Sequence, residues 1–114
     1  MLKRERRITI YGEYFQDFYL KLGSRIQAKI DYVFRVVETA ELIPEKFFKH
    51  LAGTDGLFEI RVESGGNIFR IFCCLDQGNL VVLFNAFQKK SQKTPRREIE
   101  LAEKLKREYL ESKR

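Results

Sequence analysis

The pattern of apolar and polar positions predicts a helical hairpin near the start of the chain. Within residues 13–40, apolar residues recur twice at the spacing of one helical face. They are Tyr14, Phe15, Phe18, Tyr19 and Leu22, then Ile26, Ile30, Val33, Phe34 and Val37. Gly23 lies between the two blocks as a helix stop, and Ser24 with Gln27 fits a capping box that begins the second helix. Residues 6–11 read as a short strand before the hairpin.

Three apolar runs of strand length follow in the second half of the chain. They are residues 57–63, 68–75 and 80–87. Residues 64–67 (SGGN) and 76–79 (DQGN) separate them, and both tetrapeptides are typical of hairpin turns. The pattern therefore predicts a meander of three antiparallel strands, after an irregular or single-turn stretch at residues 45–56.

A final helix is predicted from Thr94 as its cap and Pro95 at its first position, where a missing N–H costs nothing. Its apolar stripe is Ile99, Ala102, Leu105 and Tyr109. The element order is then β-α-α-β-β-β-α. This order predicts a single α+β domain over residues 1–114, with an antiparallel sheet, the helical hairpin on one face and a C-terminal helix.

The two turns also predict which side chains lie opposite each other. If both loops have an even number of residues, Arg61 lies opposite Arg70, and Arg70 lies opposite Asn85. One face of the sheet then carries only apolar or small residues, which we expect the helical hairpin to cover. Its rows are Phe58–Cys73–Val82, Ile60–Ile71–Phe84 and Val62–Phe69–Ala86.

The opposite face places two guanidinium groups side by side. Like charges directly opposed on a sheet are destabilising, so Arg61 and Arg70 need a compensating anion. One interpretation is a salt-bridge cluster with Glu59 and Glu63. The other is a bound phosphate, which the planar fork of arginine binds with two hydrogen bonds. The same face also carries apolar residues such as Phe72, and we expect the last helix or a partner protein to cover them.

Positive charge is concentrated at one end of the chain. Residues 88–114 hold ten basic and five acidic side chains, a net of +5 out of the +6 of the whole chain. Five cations lie between the last strand and the last helix: Lys89, Lys90, Lys93, Arg96 and Arg97. Cations in the first turn oppose the helix dipole, and free N–H groups there bind anions. The excess indicates a polyanion or an acidic protein as partner, although a solvated helix is the simpler interpretation.

Other classes of protein are disfavoured by composition. No apolar run approaches the about 20 residues of a membrane span, and the basic N-terminus lacks the pattern of a signal peptide. Cys73 and Cys74 are adjacent in an apolar run, which argues against a disulfide framework and fits a reducing cytoplasm. With one histidine, His50, the chain has no metal-site spacing, so we expect neither a metal nor a cofactor.

Four segments together resemble the RelE/HigB superfamily, in particular its phage-derived RelE-like branch. They are GLFEIRV (56–62), NIFRIF (67–72), VVLFNAFQKKSQKTP (81–95) and EIELAEKLKREY (98–109). The resemblance implies a RelE/ParE-like fold and the toxin of a type II toxin–antitoxin system. Such toxins enter the ribosome and cleave mRNA without a metal, by attack of a ribose 2′-OH on the adjacent phosphate. A cognate antitoxin, often with a helix-turn-helix domain, neutralises them.

The resemblance also assigns roles to individual residues. Arg70 matches the phosphate-binding arginine of the family and Arg61 a basic position on the preceding strand. Lys89 and Lys90 match the basic pair after the last strand. Phe87 lies near positions where members of the family have an aromatic residue or a histidine, on which a base of the RNA could stack.

The chain departs from the family pattern at the acid and the base. Near the position where RelE has a lysine, this chain has Glu59. Near the position where RelE has a tyrosine, it has Pro95 and Arg96. HigB-like members use a histidine near the end of the last strand, and none is present there. The remaining candidates are Glu59 as base and Lys89 or Lys90 as acid. The candidate substrate-binding residues are Lys46, Lys49, His50, Asn85, Phe87, Lys93, Arg96 and Arg97.

Two other functions stay open at this point. A ParE-like toxin shares the fold but inhibits DNA gyrase, and the set of Arg61, Arg70 and the lysine pair argues against it. A catalytically decayed toxin would bind RNA in a salt-sensitive way without cutting it. The missing histidine and tyrosine keep this second alternative open.

Overall fold

A computed structural model describes residues 5–113 of the chain and shows an α+β fold with three α-helices and five strands in that range. The outer limits of the predicted domain, residues 1 and 114, lie outside the described residues. The elements are β1 (Arg7–Ile10), α1 (Tyr14–Leu20), α2 (Ser24–Thr39), β2 (Phe48–His50), β3 (Leu57–Ser64), β4 (Asn67–Asp76), β5 (Leu80–Lys89) and α3 (Arg96–Ser112). The predicted fold class is confirmed. Among the described residues, no helix has the length and apolar character that crossing a membrane requires.

The strands form one mixed sheet in the order β1-β5-β4-β3-β2. The prediction of a purely antiparallel sheet is wrong at β1, which runs parallel to β5 with Ile8 opposite Val81. The prediction of an irregular stretch at 45–56 missed β2, which pairs with β3 at one edge of the sheet. A three-residue strand is too short for its alternation to stand out. β2 is nevertheless packed in place, because the Phe48 ring stacks on Phe58 at 5.0 Å.

The predicted helical hairpin is present and covers one face of the sheet. Phe15 of α1 and Ile30 and Val33 of α2 pack with Ile60 and Ile71 in the first core. The predicted capping box is wrong, since Gly23 is the N-cap and Ser24 is already helical. Gln27 instead donates from Nε2 to the carbonyl oxygen of Tyr19 at 2.8 Å, which ties α2 back to the end of α1.

The β3–β4 register agrees with the prediction, and Arg61 lies opposite Arg70. The β4–β5 register differs from the prediction. Asp76 lies opposite Leu80, so the loop between β4 and β5 has three residues and not an even number. Gly78 and Asn79 both adopt positive φ, 72° and 67°, and three-residue hairpin loops use such left-handed positions. The odd loop length shifts the register by one residue.

A β-bulge in β5 shifts this register once more. Ile71 lies opposite Ala86 and Cys73 opposite Leu83, so two residues of β5 face the single Phe72 between them. Beyond the bulge Arg70 pairs with Phe87 and not with Asn85, which corrects the prediction.

The loop-length shift exchanges the faces of β5 between the turn and the bulge, whereas the bulge restores the predicted face at Ala86, which packs against the first core. Val82 and Phe84, predicted in the core beneath the helical hairpin, pack on the opposite face with Leu57 and Phe72. Helix α3 covers this second core through Ala102, Leu105 and partly buried neighbours. Of the two expected covers for the apolar residues of this face, the last helix or a partner protein, the structure shows the last helix. The N-cap of α3 is Pro95, one residue later than the predicted Thr94.

The end of α3 is fastened to the β4–β5 turn by Asp76. The hydroxyl of Tyr109 donates to Asp76 Oδ2 at 2.5 Å, and Lys113 Nζ lies 2.6 Å from the same oxygen. The bond from Lys113, then that from Tyr109, and the backbone N–H of Gln77 lower the pKa of Asp76 to about 2. The hydrogen bond to Asp76 raises the pKa of Tyr109 to about 12.

Replacing Asp76 with asparagine is expected to loosen the last turn of α3 and to return the pKa of Tyr109 toward 10.0. Because the folded pKa of Asp76 is depressed, its stabilising contribution is present above the unfolded value of about 3.9 and is lost as pH falls toward the folded value. NMR titration of tyrosine Cζ resonances measures the Tyr109 pKa directly. An unchanged Tyr109 titration in Asp76→Asn would contradict the assigned contact.

Candidate functional site

The α3 side of the sheet carries one carboxylate between two guanidinium groups. Glu59 and Arg61 lie on β3, and Arg70 lies opposite Arg61 on β4. Glu59 Oε1 is 3.3 Å from Arg61 Nε and 3.8 Å from Arg70 Nε. Glu59 and Arg70 are both 6% exposed, and the Arg61 side chain is 26% exposed. Glu59 neutralises only one of the two cations, so this group, which we call the arginine pair with Glu59, retains one excess positive charge.

The hydrogen bonding of the two arginines is incomplete. Both contacts with Glu59 are ion pairs that lack hydrogen-bond geometry, and both Nε atoms are buried without a hydrogen-bond partner among the described residues. Arg70 also donates from Nη1 to the carbonyl oxygen of Phe69 at 3.2 Å. Burial lowers the pKa of Arg70, and the charge of Arg61 lowers it further, against the opposing effect of Glu59 and Glu63. A guanidinium stays charged in proteins, so an added anion would stabilise this pair.

The arginine pair opens into a cleft of about 310 Å³, which we call the arginine cleft. Its lining residues are Lys29, Lys46, Phe47, Arg61, Glu63 and Arg70. Four cations against one carboxylate make the cleft electropositive, and its volume is near the lower end of small-molecule sites, about 300–1,000 Å³. The structure thus brings Lys46 to the arginine pair, as its assignment to the site requires.

Sequence reasoning missed Lys29. It lies on α2, and only the packing of α2 against the sheet brings it beside residues more than thirty positions later in the chain. Within the sequence Lys29 is one polar position next to the buried Ile30, with no motif around it. Its one local signal is Arg25, four residues earlier, on the same side of the helix.

Strand β2 places its two polar residues on opposite faces of the sheet. Lys49 pairs with Glu59, so it shares the face of the arginine pair, and its Nζ lies 3.8 Å from Glu45 Oε1. His50 pairs with Phe58, whose ring packs in the first core, at 5.2 Å between ring centroids. The structure therefore does not bring His50 together with the arginines.

The predicted residues of β5 lie at different depths. Ile68 pairs with Lys89, so Lys89 is the diagonal neighbour of Arg70, at a typical separation of about 7–8 Å. Lys89 and Lys90 line an open cleft at this end of the sheet. Phe87 is buried with its ring 5.4 Å from Phe72, so stacking of a base on Phe87 would require the second core to open.

Asn85 connects the bulge of β5 to the first turn of α3. It is buried, and its Nδ2 donates to both the carbonyl oxygen and Oε1 of Glu98 at 3.1 Å. Its Oδ1 has no hydrogen-bond partner among the described residues. Its amide nitrogen thus holds α3 in place, and its role as a substrate contact stays a prediction.

The cations of the β5–α3 connection are exposed to solvent. They are Lys93, Arg96 and Arg97. Arg96 forms an exposed ion pair with Glu100 one turn further along α3, with 3.4 Å between Nε and Oε2. Part of the charge that opposes the helix dipole is therefore balanced within the helix.

Within residues 5–113, no three histidine, cysteine or acidic side chains are grouped as metal ligands would be. Cys73 and Cys74 are both free and buried on the two faces of β4. Burial raises the pKa of both thiols, that of Cys74 to about 11, so neither has the depressed pKa of a reactive cysteine.

The α+β fold, with helices on both faces of a five-stranded sheet, is consistent with that of RelE-like toxins. The chain matches the model of the phage-derived Gp49-like protein family (DUF891) over residues 17–107 and belongs to this family, which consists of RelE-like toxins of toxin–antitoxin systems. A comparison with curated proteins finds no match.

Proposed function

We propose that this chain is the toxin of a type II toxin–antitoxin module and an endoribonuclease that cleaves mRNA on the ribosome. A helix-turn-helix antitoxin is its proposed inhibitor, and the cytoplasm its proposed location. The observation that carries the proposal is the arginine pair with Glu59: two opposed guanidinium groups share one carboxylate at the floor of an electropositive cleft. Membership of the Gp49-like family supports the toxin assignment.

The proposed reaction is an internal transfer of the phosphodiester. The ribose 2′-oxygen attacks phosphorus and loses its proton to a base, the P–O5′ bond breaks, and an acid protonates the 5′-oxygen. The products are a 2′,3′-cyclic phosphate and a 5′-hydroxyl, and no metal enters any step. Arg61 and Arg70 bind the non-bridging oxygens and stabilise the charge that develops on them.

Glu59 is the proposed base and Lys89 or Lys90 the proposed acid. Because Glu59 lies within ion-pair distance of both arginines, a phosphate bound by them comes close to its carboxylate. Lys89 approaches the same site from the diagonal position on β5. The base and the acid then lie on opposite sides of Arg70 across the sheet, an arrangement suited to the attacking and leaving oxygens.

Mapping of new 5′ ends tests the proposal. The chain is induced in bacteria without an antitoxin, and a translated messenger is examined by primer extension with and without a translation inhibitor. Cuts within codons that disappear when translation is blocked support the ribosome-dependent nuclease. Growth arrest without cuts would instead favour a ParE-like inhibitor, which a gyrase supercoiling assay detects. Absence of both arrest and cuts would favour a decayed, RNA-binding toxin.

Lys89 at the end of β5 and Lys90 directly after it are expected to share the binding of the phosphate. Lys89→Ala and Lys90→Ala should each lower cleavage less than the double substitution, because a neighbouring cation still reaches the same polyanion. Rates of cleavage by the purified variants provide the measurement. An equal and complete loss in one single variant and in the double would argue against sharing and identify that lysine as the acid.

A further inference from the structure

One side of helix α2 extends the positive surface of the arginine cleft. Arg25, Lys29 and Tyr32 are spaced at i, i+4 and i+7, so they lie on one side of the helix. Together with Glu63, Ser64 and the start of the β3–β4 turn they line a second cleft, which we call the helix groove. From Arg25 to Tyr32 the helix rises about 10 Å.

The helix groove and the arginine cleft adjoin each other. Lys29 and Glu63 line both of them, so a polymer bound at Arg70 lies next to the helix groove. Lys46 borders the same region and lies over the Phe47 ring, at 5.0 Å from its centroid. Cations of the sheet and of α2 thus border the two adjoining clefts.

Tyr32 presents an aromatic ring in the helix groove. It is 53% exposed, although large aromatic side chains are usually buried. Phe47 meets it edge-on at 6.2 Å between centroids, and Lys29 Nζ lies 5.4 Å from the ring centroid. These contacts hold one side of the side chain while about half of its surface stays accessible.

The surroundings of a second exposed tyrosine are of opposite charge. Tyr14 at the start of α1 is 48% exposed and lines a cleft with Glu13, Asp17 and Glu108. A polyanion is repelled there, whereas Arg25, Lys29 and Lys46 attract it near Tyr32. Exposure alone therefore does not distinguish the two tyrosines, but the charge around them does.

We propose that the helix groove binds the single-stranded RNA that flanks the cleaved phosphate, with a base stacked on Tyr32 and the backbone on Arg25 and Lys29. Cations interleaved with an exposed aromatic ring are the arrangement with which proteins hold single strands without reading sequence. The substrate class rests on the proposed function. The binding site itself does not require that the chain cleave RNA.

The test measures binding apart from cleavage. A fluorescein-labelled 2′-O-methyl oligoribonucleotide cannot undergo 2′-OH attack, and its affinity for each purified variant is read by anisotropy. Tyr32→Ala is expected to weaken binding roughly tenfold, the loss of one stacked base. Tyr32→Phe keeps the ring and should bind like the parent chain. Arg25→Ala should reduce the dependence of affinity on salt concentration.

Tyr14→Ala is the matched control, with the same change at a similarly exposed tyrosine, and we expect unchanged affinity. Equal binding by Tyr32→Ala and the parent chain would overturn the proposal and leave this surface for a protein partner. Equal losses in the Tyr14 and Tyr32 variants would overturn it as well. Tyr32-dependent binding in a chain that makes no cuts would support the groove and refute the nuclease. RNA cleavage together with binding that does not depend on Tyr32 would support the nuclease and overturn the groove.

Discussion

Arg70→Lys is expected to lower RNA cleavage by about 100- to 1,000-fold, the range found when one oxyanion-stabilising donor is removed from an enzyme. Lysine keeps the positive charge but replaces a planar fork by a single ammonium group, so two parallel hydrogen bonds to one phosphate are lost. Arg70 is the more buried of the two arginines and pairs with both β3 and β5. Its donors are therefore held in a fixed direction when charge develops on the phosphate.

The matched control for this prediction is Arg61→Lys. Arg61 shares Glu59 with Arg70 but is 26% exposed, so its side chain adjusts more freely and we expect a smaller loss. Cleavage rates, together with thermal unfolding of each variant, separate a catalytic loss from a failure to fold. Full activity of folded Arg70→Lys would refute a bidentate phosphate contact. If Arg70→Lys does not fold, Arg70→Gln tests the charge and the donors of the guanidinium group together.

The part of the site that depends on one tight turn could be predicted from the sequence. The loop between β3 and β4 has two residues, Gly65 and Gly66, and alternation from it places Arg61 opposite Arg70. The β4–β5 loop defeats the same reasoning, because DQGN fits two-, three- or four-residue loops and the left-handed Asn79 is not implied by residue type alone. One residue of loop length decides which face each β5 side chain takes between the turn and the bulge.

The bulge in β5 could not be read from the sequence either. It lies where Asn85 turns toward Glu98 of α3, so a tertiary hydrogen bond accompanies the extra residue. The three-residue loop and the bulge together make Phe87 the partner of Arg70. The contact of Asn85 with Glu98 depends on where α3 docks, so the local pattern does not contain it.

Lys29 and His50 show the same limit at the site. Lys29 reaches the arginine cleft only because α2 crosses the sheet beside the end of β3. His50 is close to Glu59 in pairing but lies on the other face, since the side chains of β2 alternate. Proximity in the sequence was thus a poor guide to these two residues. Strand register places His50, and the packing of α2 against the sheet places Lys29.

Glu59→Gln is expected to destabilise the chain by about 3 kcal/mol, at the lower end of the cost of breaking a buried ion pair because Arg61 is partly exposed. Glutamine keeps the size of the side chain but removes the one charge that Arg61 and Arg70 share. Two opposed guanidinium groups then repel each other across the β3–β4 pair. Urea unfolding with and without inorganic phosphate measures the loss and its recovery.

Phosphate should restore part of that stability, about 1.4 kcal/mol at ten times its dissociation constant, and it should bind the variant more tightly than the parent chain. Chloride at matched ionic strength controls for screening. Glu63→Gln is the matched variant, since Glu63 is exposed at the rim of the same cleft, and a small change in stability is expected. Selective rescue of Glu59→Gln by phosphate would mean that the arginine pair binds a phosphate beside the position of the carboxylate. Equal stabilisation of both variants and the parent by phosphate and chloride would instead make the cluster a structural salt bridge.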